Sequence, residues 1–227
     1  MNAGNLGGNM NKAEIIQELT QHACPASAAG MARFGIRSKK VLGVSMPIIR
    51  TLARRVGKDH KLAAQLWRSG ILEARFLASL IDVPAEVTEA QMESWVSEFD
   101  NWAVCDCACS NLLDKTPWAY QKAITWSRRS EEFVKRAGFT MMACLAVHDK
   151  RASDDAFLAF FPAIKRESTD ERNFVRKAVN WALRQIGKRR PSLRTRAVEL
   201  AGEIRLIDSK AAKWIAADAL RELTRHA

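Results

Sequence analysis

The chain has 227 residues, 48% of them hydrophobic, enough apolar material for a substantial core and too much for wholesale disorder. Its 36 Lys and Arg against 25 Asp and Glu leave a net charge of +11 and a pI near 9.8, which favours a polyanionic partner, nucleic acid ahead of an acidic membrane surface. No run approaches the roughly 18 apolar residues of a membrane span, and five cysteines, an odd number with Cys105, Cys107 and Cys109 crowded on one stretch, fit a reduced compartment better than a disulfide framework.

The opening "MNAGNLGGNMNK" has Gly and Asn where a secretion signal needs an apolar core, so residues 1–11 are expected to form a loose tail and the protein to be cytoplasmic. From there apolar residues recur at helical spacing, and strand-like alternation is almost absent. Helices are expected at 12–22, 25–33, 46–57, 59–69, 71–82, 88–99, 101–113, 117–128, 130–147, 153–165, 171–187, 192–204 and 209–225. Ser45 before "MPIIR", Thr88 with Gln91 three later, and Ser130 before two glutamates are start signals. Gly57, Gly70 and Gly187 read as stops, and Pro84 and Pro191 sit in connections. Many short helices on tight loops predict an all-α chain of stacked helix pairs, a HEAT-like α-α superhelix forming one domain over 12–227.

Charge is segregated. Arg33 to Lys61 holds nine basic residues and one acid, Arg172 to Arg196 nine basic residues and no acid, and Asp82 to Asp114 eight acids and no base. A bland solvated surface interleaves the signs. A curved array with a basic concave face is therefore expected, with Arg37, Lys39, Lys40 and Arg50 from the first basic segment on nucleic-acid phosphates. The second segment would add Lys177, Arg184, Lys188, Arg189 and Arg190.

Within "DNWAVCDCACSNLLD", a projection at about 100° per residue puts Trp102, Val104, Cys105, Ala108, Cys109, Leu112 and Leu113 on one apolar stripe, with Asp106 at its margin. Trp181 in "FVRKAVNWALRQIGK" lies between the apolar side of its helix and a basic side bearing Lys177, Arg184 and Lys188. An aromatic ring beside cations suits a nucleic-acid surface. Each residue also has a plain structural reading: an indole in the core, an aspartate in an ion pair, and Arg136 paired with Glu132 four residues earlier. The "CDCACS" run invites a metal, but only Cys105 and Cys109 share a face and no second ligand pair follows, so buried thiols are expected. No phosphate loop, nucleotide fingerprint or HExxH occurs, and neither metal nor cofactor is expected.

Taken together, "FGIRSKKVLGVSMPIIRTLAR", "LWRSGILEARFLASLI", "NWAVCD", "DKTPW", "FVKRAGF" and "RKAVNWALRQIGK" resemble, in order and spacing, the AlkD-like DNA alkylation repair enzymes, alkylpurine DNA glycosylases built from HEAT-like repeats. The resemblance spans about Phe34 to Lys188. It implies Asp106 as the catalytic carboxylate, Trp102 and Trp181 as indoles against the sugar, and Arg136 on a phosphate near the lesion. Ala103 stands where many relatives carry a further acid.

The implied reaction is hydrolysis of the N-glycosidic bond of N3- or N7-alkylated purines in double-stranded DNA, without strand nicking and from the backbone side with the lesion stacked. A cationic purine leaves without prior protonation, so the two carboxylates of sugar hydrolases reduce to one. A monomer without a membrane or obligate protein partner, nucleoid-associated when acting, completes the expectation. The alternatives are a catalytically silent module of the same fold that grips damaged or branched DNA, and a scaffold for an acidic protein.

Overall fold

In the computed structural model, residues 10–225 are described, and they form fourteen α-helices and one short 3-10 turn. Among them the only strand-like pairing is an isolated bridge, Lys40 to Ile71. Residues 1–9 of the expected tail and the last two residues of the expected domain lie outside that range. Asn11, placed in the tail by the sequence reading, is the N-cap of α1: its side chain accepts from the Ala13 and Glu14 amides while Glu14 returns a bond to the Asn11 amide. The described residues pack as two compact units, 10–93 with 100–116, and 94–99 with 117–225.

The first unit contains α1 (Lys12–Gln21), α2 (Pro25–Arg33), α3 (Met46–Val56), α4 (His60–Trp67), α5 (Leu72–Ile81), the start of α6 (Glu89–Ser97), α7 (Trp102–Asn111) and the 3-10 turn Leu113–Lys115. Helix α5 is its hub, packed on α1, α3, α4 and α7 and buried on nearly every side through Leu72, Ala74, Phe76, Leu77, Ala78 and Ile81. Helix α2 buries nothing of its own. The segment 34–45 that follows it is held by main-chain and carboxylate bonds instead. Cys24 N donates to Leu42 O, Leu72 N to Lys40 O, and the Leu42 and Gly43 amides to the buried Glu73 carboxylate at 3.0 and 2.6 Å. Gly43 has φ +79°, and a Cβ there would lie 2.2 Å from Cys24 O, so only glycine fits.

The second unit contains α8 (Ala119–Trp126), α9 (Glu132–His148), α10 (Asp154–Leu158), α11 (Phe161–Glu167), α12 (Asn173–Arg189), α13 (Pro191–Arg205) and α14 (Lys210–Thr224). Helix α9 is buried continuously from Arg136 to Ala146 and packs against α8 and, most extensively, α12; α12 in turn packs on α13 and α14. Neighbouring helices thus bury each other's apolar faces in series, the arrangement the repeat-like pattern predicts.

Three local readings need correction. The helix expected at 153–165 breaks in two, because Pro162 cannot donate to a preceding turn and instead opens α11. Gly187 does not stop α12, which continues to Arg189; a Cβ at 187 would meet Leu223 and Ala197 at 2.8 to 2.9 Å, so this glycine admits close packing. The α9 cap falls on Glu131, one residue after Ser130. Ser45 is the N-cap of α3 as expected, with Pro47 in the first turn, though its side chain makes no cap bond. Thr88 does accept from Gln91 N, and Gly57 with φ +76° ends α3.

Candidate nucleic-acid interface

In the first unit the start of α7 is the organising point. Asn101, fully buried, caps it by accepting from the Ala103 and Val104 amides at 2.9 and 3.1 Å. Its amide nitrogen donates to Ser38 Oγ at 2.9 Å and to Asp100 Oδ1 at 2.7 Å, and Ser38 Oγ donates to the same Asp100 oxygen. One residue on, Trp102 Nε1 donates to the carbonyl of Phe34 at 2.8 Å. The helix cap thereby pins the basic segment at both Phe34 and Ser38. Arg37, Lys39 and Lys40 are exposed on that pinned segment, and Phe34 is 73% exposed among them.

The apolar stripe of α7 is buried as projected: Val104, Cys105, Ala108, Cys109, Leu112 and Leu113 are each at most 1% exposed. Trp102 and Asp106, one turn apart at its edge, are half-buried. Cys107 lies 3.4 Å from Ser79 Oγ and from Asn111 Nδ2. Burial pushes its thiol up, hydrogen bonds from Ser79 and Asn111 and the charge of Arg50 pull it down, and Asp106 pushes it up. The exposed Arg50 of α3 and Asp106 of α7 therefore lie within electrostatic reach of one thiol. Among the described residues no group of three or more His, Cys, Asp or Glu is placed to hold a metal ion.

In the second unit, Trp181 is half-buried on α12 and Lys177, one turn earlier, is exposed. The other cations expected there are engaged within the protein. Arg184 pairs with Glu222 and, at 3.3 Å, with Asp218; Lys188 pairs with Glu222 at 2.6 Å. Asn180 donates to Asp218, and Arg176 sits 4.8 Å over the Trp214 ring, so α12 and α14 meet along a polar seam. The Lys188 hydrogen bond, offset by burial and helped by Arg184, lowers the Glu222 carboxyl below its ordinary range. Arg189 donates to the Ala146 and Ala152 carbonyls and lies 4.4 Å over Phe157, while Arg190 pairs with Asp154 at 2.8 Å.

A family model described as DNA alkylation repair enzyme matches residues 15–223, across both units. The chain belongs to that family. A solved structure, described as from a new family of proteins related to the HEAT-like repeat DNA glycosylases with affinity for branched DNA structures, aligns with a TM-score of 0.77 at 20% identity, covering 94% of this chain and 96% of that one. At that identity the likeness establishes the fold, an all-helical HEAT-like repeat. No curated protein matches the chain.

Placed in this DNA alkylation repair protein, the expected residues divide. Trp102, Asp106, Arg37, Lys39, Lys40 and Arg50 belong to the first unit, with the two α7 residues a turn apart; Trp181, Arg136 and the second basic segment belong to the other. Arg136 departs most from expectation. It is 6% exposed and donates to the Phe174 carbonyl at 2.7 Å, which ties α9 to the first turn of α12 and leaves little surface for a phosphate. Phe34, Ser38 and Asn101 were missed by sequence reasoning. Only Phe34 carried a signal, as a large apolar residue set between Arg33 and Arg37 just before a glycine.

Proposed function

We propose that this member of the DNA alkylation repair family is a monofunctional alkylpurine DNA glycosylase, hydrolysing the N-glycosidic bond of N3- or N7-alkylated purines in double-stranded DNA. The observation that carries the reading is the half-buried Asp106, one turn from Trp102, on a helix whose start anchors a cationic segment. A surface that only grips phosphates gains nothing from a carboxylate there, since it repels the backbone. A glycosylase needs one. As the bond from C1′ to the purine nitrogen breaks, the bonding pair goes to the already cationic base, which leaves neutral. Positive charge then grows on the deoxyribose, where a fixed carboxylate stabilises it and orients the water that adds to C1′. The water's spare proton is released, and the phosphodiester chain stays intact.

Within the first unit, Trp102 supplies an indole face whose attraction to the developing cation is about 0.5–2 kcal/mol. Phe34, exposed and fixed through its carbonyl to Trp102, offers a second apolar face to the same nucleotide. Arg37, Lys39, Lys40 and Arg50 contact phosphates around it. In the second unit, Trp181 and Lys177 of α12 add an indole and a cation to the DNA surface. Arg136 acts through structure, holding α12 by the Phe174 carbonyl.

The test is release of methylated purine from methylated DNA by wild type and by Asp106→Asn. The reading requires release by the first and a fall of roughly 10²–10³-fold in the second, the size seen when one charge-stabilising group is removed. A second reading, a silent module for branched DNA, draws on the description of the structural neighbour. It requires tight, salt-sensitive binding to junctions with no base released by either protein.

A further inference from the structure

We infer that the cleft where α9 and α12 end is a phosphate subsite for the DNA strand lying along α12, with Lys150 its uncommitted donor; this rests on the DNA-binding part of the reading above. A cavity of about 320 Å³ opens there, lined by Ala146 and Val147 in the last turn of α9, by Lys150 just beyond it, and by Gln185, Lys188, Arg189 and Arg190. Four of its lining side chains are cations and none is a carboxylate.

Its wall is built before any ligand arrives. The Asp149 carboxylate accepts from the Tyr120 hydroxyl at 2.9 Å and from the Arg151 and Ala152 amides at 3.0 and 3.1 Å, which fixes the turn carrying Lys150. Arg189 clamps the same turn from the other side through the Ala146 and Ala152 carbonyls. Three nearby acids are occupied: Asp149 as described, Asp154 by Arg190 and Ser192, and Glu222 by Lys188 and Arg184. Lys188, Arg189 and Arg190, held by these pairings and by the turn's carbonyls, therefore set the shape of the cleft. Lys150 is exposed and forms no ion pair among the described residues, so its ammonium has solvent as its only competitor. The Lys188–Glu222 pair is itself partly exposed, and such pairs are weakly held, so an entering phosphate can take over the Lys188 ammonium.

The location gives the cleft a place on the strand. Gln185 and Lys188 stand four and seven residues after Trp181, on the same face of α12. Seven residues of helix are about 10 Å, and a strand advances roughly 3.4 Å per nucleotide along the duplex axis. The phosphate held in the cleft thus belongs to a nucleotide about three steps from the one at Trp181.

The experiment is a fluorescence-anisotropy titration of an undamaged duplex over a salt series, with wild type, Lys150→Ala, Lys150→Glu and, as an exposed control elsewhere in the unit, Arg205→Ala. Loss of one phosphate contact should flatten the slope of log K against log salt by about 0.9 in Lys150→Ala, with a several-fold loss of affinity that deepens in Lys150→Glu. Arg205→Ala should match wild type. An unchanged slope and affinity in Lys150→Glu overturns the subsite. Base release plays no part in the readout, so a protein that binds in this way but excises nothing would refute the glycosylase reading alone.

Discussion

At the scale of single residues, the first unit's geometry separates what Trp102 does as a ring from what it does as a donor. Its Nε1 bond to Phe34 O holds the basic segment, and a hydrogen bond of this kind contributes about 0.5–1.5 kcal/mol. Trp102→Phe should therefore retain most of the ring's contribution and lose activity mainly through a looser 34–45 segment, whereas Trp102→Ala should lose both; single-turnover base release on the two variants checks the order. Phe34→Ala should leave the melting temperature near wild type, since the side chain is 73% exposed, yet weaken binding to alkylated DNA by about 1–3 kcal/mol if a nucleotide packs on it. An unchanged affinity would remove Phe34 from the interface. The position of Asp106 was legible in the sequence because a helical projection needs only the helix's own residues. That of Arg136 was not, because its burial is decided by α12, whose Phe174 carbonyl lies 38 residues downstream.

At the scale of elements, the helices were legible nearly throughout, since most have an apolar face with a period of 3.6 and a recognisable start or stop. The failures share a cause: Pro162 was outvoted by the periodicity around it, and Gly187 was read as a local stop when its role is a contact with Leu223 and Ala197. Gly187→Ala should accordingly destabilise the α12–α13–α14 cluster by about 1–3 kcal/mol, the cost of overpacking a filled site, measurable by urea denaturation. The α12–α14 seam is expected to carry a pH dependence whose sign follows from its charges. Because Lys188 and Arg184 lower the Glu222 carboxyl in the fold, its contribution is present above the ordinary carboxylate range near 4.3 and is lost as pH falls through the lowered value. Glu222→Gln should thus be less stable than wild type at pH 7 and converge with it on acidification, as thermal melts between pH 7 and pH 3 would show. A constant gap across that range would mean that Glu222 acts by packing rather than by charge.

At the scale of the whole molecule, composition pointed to a polyanion and the order of motifs to DNA alkylation repair, and the family match over 15–223 places the chain there. Charge segregation was a poorer guide to individual contacts. The second basic segment looked free of acids only in sequence; Asp154, Asp218 and Glu222, from other helices, neutralise Arg190, Arg184 and Lys188 in the fold. The first segment, by contrast, keeps Arg37, Lys39 and Arg50 exposed around the pinned start of α7. The measurement that bears most directly on the proposed chemistry pairs base release under single-turnover conditions with DNA affinity for Asp106→Asn. If Asp106 faces the DNA as proposed, removing its charge should leave affinity equal or higher while the excision rate falls by two orders of magnitude or more. Excision at the wild-type rate, with affinity unchanged, would contradict the assignment of Asp106 as the charge that meets the departing base's sugar.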